Sequence, residues 1–171
     1  SLRMAVPADA NPPQEAVAPA GAILRTVAEN TRFGDQFLLD RLDLSCARDP
    51  LRVEMAWRRT IPDTTPYTIA VHLTDGTGTI LDKFDFRSKE QARRPDAGHA
   101  WSDALIIPSA RIPATATTLA IGIYDDSMRL LAVKHGRTDW GGRRLLVPLA
   151  PCAAEGGTPS PAFPPEALKP E

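Results

Sequence analysis

The stretch LRVEMAWR at residues 51–58 decides the fold class of this chain, because it places a large apolar residue at every second position. Successive side chains of a β-strand point to opposite faces, so a period of two predicts a strand with one buried face. The residues predicted to face the core are Leu51, Val53, Met55 and Trp57. We therefore expect Trp57, the largest of them, to be a core residue.

The same alternation recurs along the chain, and turn-forming residues separate the runs. DGTG at 75–78 and DDS at 125–127 each follow an alternating run, and Asp and Gly are residues that tight hairpin turns favour. Residues 22–29 also fit one face of a helix, and we predict a strand there. The other predicted strands are 51–58, 67–74, 79–86, 118–124, 129–134 and 143–149.

About seven to nine short strands with regular turns are typical of an all-β, antiparallel two-sheet sandwich, immunoglobulin-like or jelly-roll-like. A chain of 171 residues has room for one such domain. Proline marks its limits, because 11 of the 17 prolines lie before residue 21 or after residue 147. We predict a Pro/Ala-rich linker at 1–20, the sandwich at 21–150 and a Pro-rich tail at 151–171.

Charge and hydropathy restrict the partners of the chain. The 20 Lys and Arg residues nearly balance the 21 Asp and Glu residues, and no basic block occurs. Nucleic-acid binding needs clustered cations, so we expect no nucleic-acid partner. No apolar run approaches the roughly 20 residues of a membrane helix, and no signal peptide is visible. Because Ser1 is not a start methionine, we expect a processed or truncated chain.

The two cysteines, Cys46 and Cys152, both follow strand-like runs, so they have the opportunity to pair. Two cysteines are not a disulfide framework, however, and we expect two unrelated small residues. Neither belongs to a CxxC motif or lies beside a histidine, so redox and zinc chemistry find no support.

No catalytic motif is visible in the sequence. His72, His99 and His135 form no HxH or HExxH pair, and no GxSxG or P-loop motif occurs. His72 falls on the outer face of a predicted strand, where we expect a solvated side chain. Asp75 and Asp125 each begin a predicted turn, where aspartate is a favoured residue. The acidic residues around them do not have the spacing of the ligands in a calcium-binding loop. We predict no catalytic residue, no metal ligand and no cofactor.

Two tryptophans are the candidate ligand-binding residues, because flat indole rings pack on the apolar faces of pyranoses. Trp140 lies in the glycine-flanked loop RTDWGG and is the ring that we expect to be exposed. Trp101 follows a polar loop and either caps the core or faces solvent. A glycan is therefore a candidate partner.

Several segments together resemble one family. FGDQFLL at 33–39, YTIAVHLTDGTG at 67–78 and PATATTLAIGIYD at 113–125 occur in order, with Trp101 between the last two. They resemble the C-terminal extracytoplasmic β-sandwich domain of bacterial multi-pass membrane proteins. Many of those proteins are similar to the dolichyl-phosphate-mannose mannosyltransferase type of glycosyltransferase.

This resemblance implies a non-catalytic accessory domain, extracytoplasmic and membrane-tethered, whose partner is its host membrane protein. It implies no catalytic residue here, because the acid–base residues of those glycosyltransferases lie in the membrane part. His72 matches the HL position of the family and receives no role from it. A carbohydrate-binding module using the loop tryptophans, an immunoglobulin-like adhesion module and an enzyme remain the alternatives.

Overall fold

The computed structural model describes residues 23–88, 96–139 and 141–152, and this part of the chain is built from β-strands. A single 3-10 turn, Ser109–Arg111, is the only helical element in these ranges. They contain no helix with the length and hydropathy to cross a membrane. The strands are β1 (Leu24–Phe33), β2 (Phe37–Ser45), β3 (Leu51–Arg59), β4 (Thr68–Asp75), β5 (Ile80–Lys83), β6 (Ala100–Ile107), β7 (Ala116–Tyr124), β8 (Val133–Lys134) and β9 (Leu145–Pro148).

The nine strands form two antiparallel sheets, which confirms the predicted two-sheet sandwich. One sheet has five strands in the order β6-β3-β2-β1-β8, and the other has four in the order β5-β4-β7-β9. The prediction of a strand over 22–29 is confirmed by β1, which continues to Phe33. Gly34 has a φ of 61°, so the tight turn from β1 into β2 uses the left-handed conformation that glycine adopts without strain.

The core lies between the sheets and is filled by the residues that the alternation predicts. On β3, Leu51 and Val53 are 0% exposed, and Trp57 is 1% exposed, which confirms it as a core residue. The inward side chains of the other sheet pack against them. They are Ile69, Val71 and Leu73 on β4 with Leu119, Ile121 and Ile123 on β7.

The segment predicted as a hairpin strand at 129–134 divides its pairing between the two sheets. Leu130 forms an isolated bridge with Tyr124, so the turn after β7 begins as predicted. Three residues later, Val133 pairs with Phe33 of β1 in the opposite sheet. The segment therefore closes one open side of the sandwich, a role that the local turn sequence does not specify.

The two cysteines form a disulfide at one end of the sandwich, so our expectation of two unrelated residues is wrong. The Cα atoms of Cys46 and Cys152 are 5.3 Å apart, across 106 residues of sequence. The backbone N–H of Cys46 also donates a hydrogen bond to the carbonyl of Ile23, at 2.9 Å. We call this the cysteine end. There the chain enters β1, and it returns to the same place after β9.

The opposite end of the sandwich, which we call the aromatic end, is where β1 and β3 finish and β2 and β6 begin. Its principal residues are Phe37, Arg59, Tyr67, His99 and Trp101. The loop between β8 and β9 also starts at this end, because Lys134 of β8 pairs with Arg32 near the end of β1. The two ends therefore differ both in their chain connections and in their side chains.

Candidate functional site

Trp101 lies at the start of β6 and is 8% exposed, as part of the core cluster. Of the two alternatives that the sequence leaves open, the structure selects the one in which Trp101 caps the core. Its indole N–H donates a hydrogen bond to Asp103 at 3.1 Å, and its ring stacks on His99 with centroids 5.6 Å apart. In this position the ring does not present an open face to a sugar.

Trp140 lies outside the described residues, so its role as a ligand platform stays a prediction. The loop that carries it begins after β8, whereas Trp101 belongs to β6 at the other side of the same sheet. Four strand spacings separate β6 from β8, which is roughly 19 Å at about 4.8 Å per spacing. Trp101 is therefore not adjacent to the start of the Trp140 loop.

The aromatic end is built around Phe37, whose ring meets three other aromatic rings edge to face. Its centroid is 4.9 Å from Tyr67, 6.2 Å from Trp101 and 6.5 Å from Trp57. Such edge-to-face pairs align the positive ring edge with the negative ring face. The space enclosed by these rings is too small to hold water. The cluster is a packed plug and not an open cleft.

Arg59 is the charged residue of this cluster, and it is 0% exposed. Its guanidinium lies 5.2 Å from the centroid of Phe37 and 6.0 Å from that of Trp101, within the range of cation–π attraction. Burial lowers the pKa of Arg59, and the nearby Asp63 and Tyr67 oppose this effect.

The burial of Arg59 was not predicted from the sequence. A signal was present, because Arg59 continues the odd-numbered, inward-facing series of β3 beyond Trp57. Arginine is rarely buried, so its residue type predicts an exposed side chain. The alternation of β3 was therefore the only feature of the sequence that predicted burial of Arg59.

Asp63 and Tyr67 form a hydrogen-bonded pair beside Arg59. The Tyr67 hydroxyl donates to Asp63 at 2.5 Å, and the backbone N–H of Thr65 donates to the same carboxylate at 2.9 Å. Burial acts to raise the pKa of Asp63, but these hydrogen bonds and the charge of Arg59 outweigh it and leave the pKa below its usual value. Burial and the hydrogen bond to Asp63 raise the pKa of Tyr67 to about 12.

His72 is buried, so our expectation of a solvated histidine is wrong. Its side chain is 1% exposed, and its Nε2 lies 3.3 Å from Oδ1 of Asp85. The same oxygen accepts a hydrogen bond from the backbone N–H of Val71 at 3.1 Å. Burial acts to raise the pKa of Asp85, but His72, Val71 and Lys83 together lower it. Ala70 and Thr74 on the same strand face are also buried, so the outer face of β4 is covered from Ala70 to Thr74.

The acidic residues of the two hairpins form turns, as the sequence predicts. The Asp75 carboxylate accepts hydrogen bonds from the Thr77 hydroxyl and from the backbone N–H groups of Thr77 and Thr79, and these bonds lower the pKa of Asp75. Asp125 accepts in the same way from Ser127 and Arg129. In the part of the chain that the structure describes, no group of three or more His, Cys, Asp or Glu side chains could hold a metal ion.

The aromatic end therefore combines a buried cation, a buried phenol hydrogen-bonded to a partly buried carboxylate, and aromatic rings packed edge to face around Phe37. Such an arrangement holds the loops of this end in fixed positions, and its polar groups contact one another within the packed side chains. In comparisons with known proteins, no protein-family model and no curated protein matches this chain.

Proposed function

We propose that this chain is a non-catalytic accessory β-sandwich domain of a larger membrane-anchored protein, working on the extracytoplasmic side and associated with a glycosyltransferase. The observation that carries the proposal is the disulfide between Cys46 and Cys152. Disulfides persist in oxidising compartments such as the periplasm or the cell surface, and thiols stay reduced in the cytosol.

The position of the disulfide also suits a domain attached to a larger protein. It joins the segment after β9 to the point where the chain enters β1, since Cys46 is hydrogen-bonded to Ile23. A connection on either side of the sandwich then leaves from the cysteine end. The aromatic end and the outer face of the five-stranded sheet remain available to a partner, which suits an accessory domain.

The resemblance to the C-terminal domains of bacterial multi-pass membrane proteins supports a membrane-spanning host. The packed aromatic end supports a binding or positioning role, because its polar groups lie among packed rings and not in a cleft where a substrate reacts. The host membrane protein is the partner in this proposal, and its chemistry takes place in another part of the protein.

Two measurements test the proposal. The first is the coding sequence on either side of the segment for residues 1–171, which we expect to encode several membrane-spanning helices. The second is thiol alkylation of the native protein after rapid acid quenching of its own cells. We expect Cys46 and Cys152 to react with a maleimide reagent only after reduction.

Each measurement has an outcome that contradicts its half of the proposal. Free thiols in freshly quenched cells would contradict the extracytoplasmic location. A gene without membrane-spanning segments would contradict the membrane-anchored host. A total thiol count after reduction and denaturation is the control that both cysteines are accessible to the reagent.

Glycan binding through the Trp140 loop is a second candidate function, because that loop is braced on both sides. Asp139 is 6% exposed, and its carboxylate accepts hydrogen bonds from the backbone N–H groups of Arg143 and Arg144, at 2.9 and 3.2 Å. A braced loop presents a side chain with little loss of entropy on binding. Quenching of tryptophan fluorescence across a glycan panel tests this role. We expect Trp140→Ala to abolish glycan binding without unfolding the chain, and a flat response from the folded parent chain would contradict this role.

A further inference from the structure

The outer face of the five-stranded sheet contains a shallow depression of about 270 Å³. It lies over β2, β3 and β6, away from both the cysteine end and the aromatic end. The side chains that shape it are Arg41, Arg52, Glu54, Ala56, Ser102 and Ala104.

The floor of the depression exists because small residues meet on two neighbouring strands. Ala56 of β3 pairs with Ser102 of β6, and Glu54 pairs with Ala104 in the next row. Cross-strand partners project from the same face of a sheet, so the side chains of Ala56, Ser102 and Ala104 lie close together. Larger residues at these positions would fill the depression. Because two of the three residues are alanine, the floor of the depression is partly apolar.

The walls are formed by charged side chains that are held in place by partners on the same face. Arg41 lies 2.9 Å from Asp43, and Asp43 also accepts a hydrogen bond from Thr26 at 2.7 Å. Arg52 forms an ion pair with Glu54, and the side chain of Arg52 is only 11% exposed. The planar groups of Arg52 and Glu54 are therefore oriented before any ligand arrives, which lowers the entropy cost of binding.

The charges of the depression cancel, and this balance selects the chemical class of the ligand. Arg41 is neutralised by Asp43 and Arg52 by Glu54, so an anion such as a phosphate finds no excess positive charge. A further carboxylate of the lining, Asp103, is 7% exposed and accepts hydrogen bonds from the Ser88 hydroxyl and the Trp101 indole N–H, so it offers no open ligand to a cation. What remains is a row of fixed planar donors and acceptors beside a small apolar floor, which matches the hydroxyls and the C–H face of a neutral sugar.

We propose that this depression binds a neutral hexopyranose unit of a glycan. The site lies on the sheet face, so it is separate from the Trp140 loop and goes beyond the accessory role proposed above. Arg52 and Glu54 hydrogen-bond the sugar hydroxyls, and the sugar ring lies over Ala56 and Ala104. Ser102, on the edge strand β6, contributes a hydroxyl at the rim.

The experiment is a titration of the isotope-labelled full chain, followed by two-dimensional amide NMR spectra. The probes are neutral hexose oligomers at millimolar concentration, namely maltohexaose, cellohexaose and mannohexaose, in the range where weak single-ring sites bind. We expect saturable shifts at Ala56, Ser102 and Ala104 with at least one probe. Ser102→Trp fills the depression from its exposed rim and should weaken binding at least about tenfold.

Two further variants separate the site from a general loss of folding. Glu54→Gln keeps the size of the side chain and removes its charge, and we expect it also to weaken binding. Ser127→Trp makes the same change as Ser102→Trp at an exposed turn, and it should bind like the parent chain. The amide spectra of all variants report whether the sandwich stays folded.

Several results would overturn the proposal. One is the absence of saturable shifts with every probe, and another is shifts confined to the loop between β8 and β9. A third is binding that Ser102→Trp leaves unchanged. Shifts along β6 produced only by an extended peptide would instead identify this edge as a strand-addition surface, which also contradicts the sugar site.

Discussion

The two ends of the sandwich are closed by different kinds of interaction. At the cysteine end, a covalent bond between Cys46 and Cys152 joins the end of β2 to the segment after β9. At the aromatic end, the described residues form no disulfide. The buried Arg59 packs against the rings of Phe37 and Trp101 instead. A sandwich has two open ends, and this chain closes one by cross-linking and the other by packing.

The two ends therefore differ in what holds them together. The cross-link is at the end where the chain enters β1 and to which it returns after β9. The packed end holds its loops without a covalent bond among the described residues. Packing depends on volume and on protonation, whereas the cross-link depends on redox conditions, and the two ends should therefore respond to different perturbations.

The largest effect is expected from the core of the aromatic end. Trp57→Ala removes an indole that lies 5.6 Å from Phe33 and 6.5 Å from Phe37, measured between ring centroids. We expect the free energy of unfolding to fall by about 3–5 kcal/mol because a cavity replaces the ring. Urea denaturation followed by circular dichroism measures the change.

Trp57→Phe is the matched control for that change. The indole N–H of Trp57 has no hydrogen-bond partner among the described residues, so phenylalanine removes volume without removing a hydrogen bond. We expect a clearly smaller loss than in the alanine variant. A loss below about 1 kcal/mol in Trp57→Ala would contradict the central place of this ring.

The next effect concerns the cysteine end. The double variant Cys46→Ala, Cys152→Ala opens a loop of 106 residues, and cross-links of this kind typically stabilise by about 2–4 kcal/mol. Reductant should destabilise the parent chain by a similar amount and leave the double variant unaffected. Equal urea midpoints for the parent with and without reductant would show that the cross-link does not restrain this end.

A smaller loss of folding stability is expected at high pH, and it originates at Tyr67 of the aromatic end. The folded chain raises the pKa of Tyr67 from 10.0 to about 12, so it holds the phenol proton more tightly than the unfolded chain does. That stability is fully present below pH 10 and is lost as the pH rises towards 12. At about 1.4 kcal/mol for each unit, the loss is on the order of 2–3 kcal/mol.

Tyr67→Phe keeps the ring and removes the titrating hydroxyl, so its stability should change less over this pH range. The measurement is the free energy of unfolding in urea at several pH values between 9 and 12 for both proteins. Parallel curves for the parent and the variant would contradict the role of the Tyr67–Asp63 hydrogen bond.

The smallest effect is expected from the proline-rich tail. A chain that ends after Cys152 keeps the disulfide, and we expect its unfolding free energy to stay within about 0.5 kcal/mol of the parent. A chain that ends before Pro151 loses Cys152 and should behave like the double cysteine variant. Thermal unfolding of the two truncated chains distinguishes them, and equal losses would show that the tail itself contributes to stability.

The sequence by itself determined the class of the fold and most of its strands. Alternation of side chains is a local property with a period of two, so it identified β3 and the burial of Trp57 without knowledge of the partner strands. Turn-forming residues are also a local feature, because each turn spans only four or five residues. Asp75 and Asp125 accept hydrogen bonds within the turns that the neighbouring residues predict. These features need no information from distant parts of the chain.

The tertiary structure alone decided which faces are covered and which distant residues meet. Alternation assigned His72 to an outer face, but only the packing of the whole sheet shows that this face is buried. The pairing of Cys46 with Cys152, the core position of Trp101 and the crossing of Val133 to the other sheet depend on how two sheets are stacked. Such contacts join residues far apart in sequence, and no local pattern encodes them.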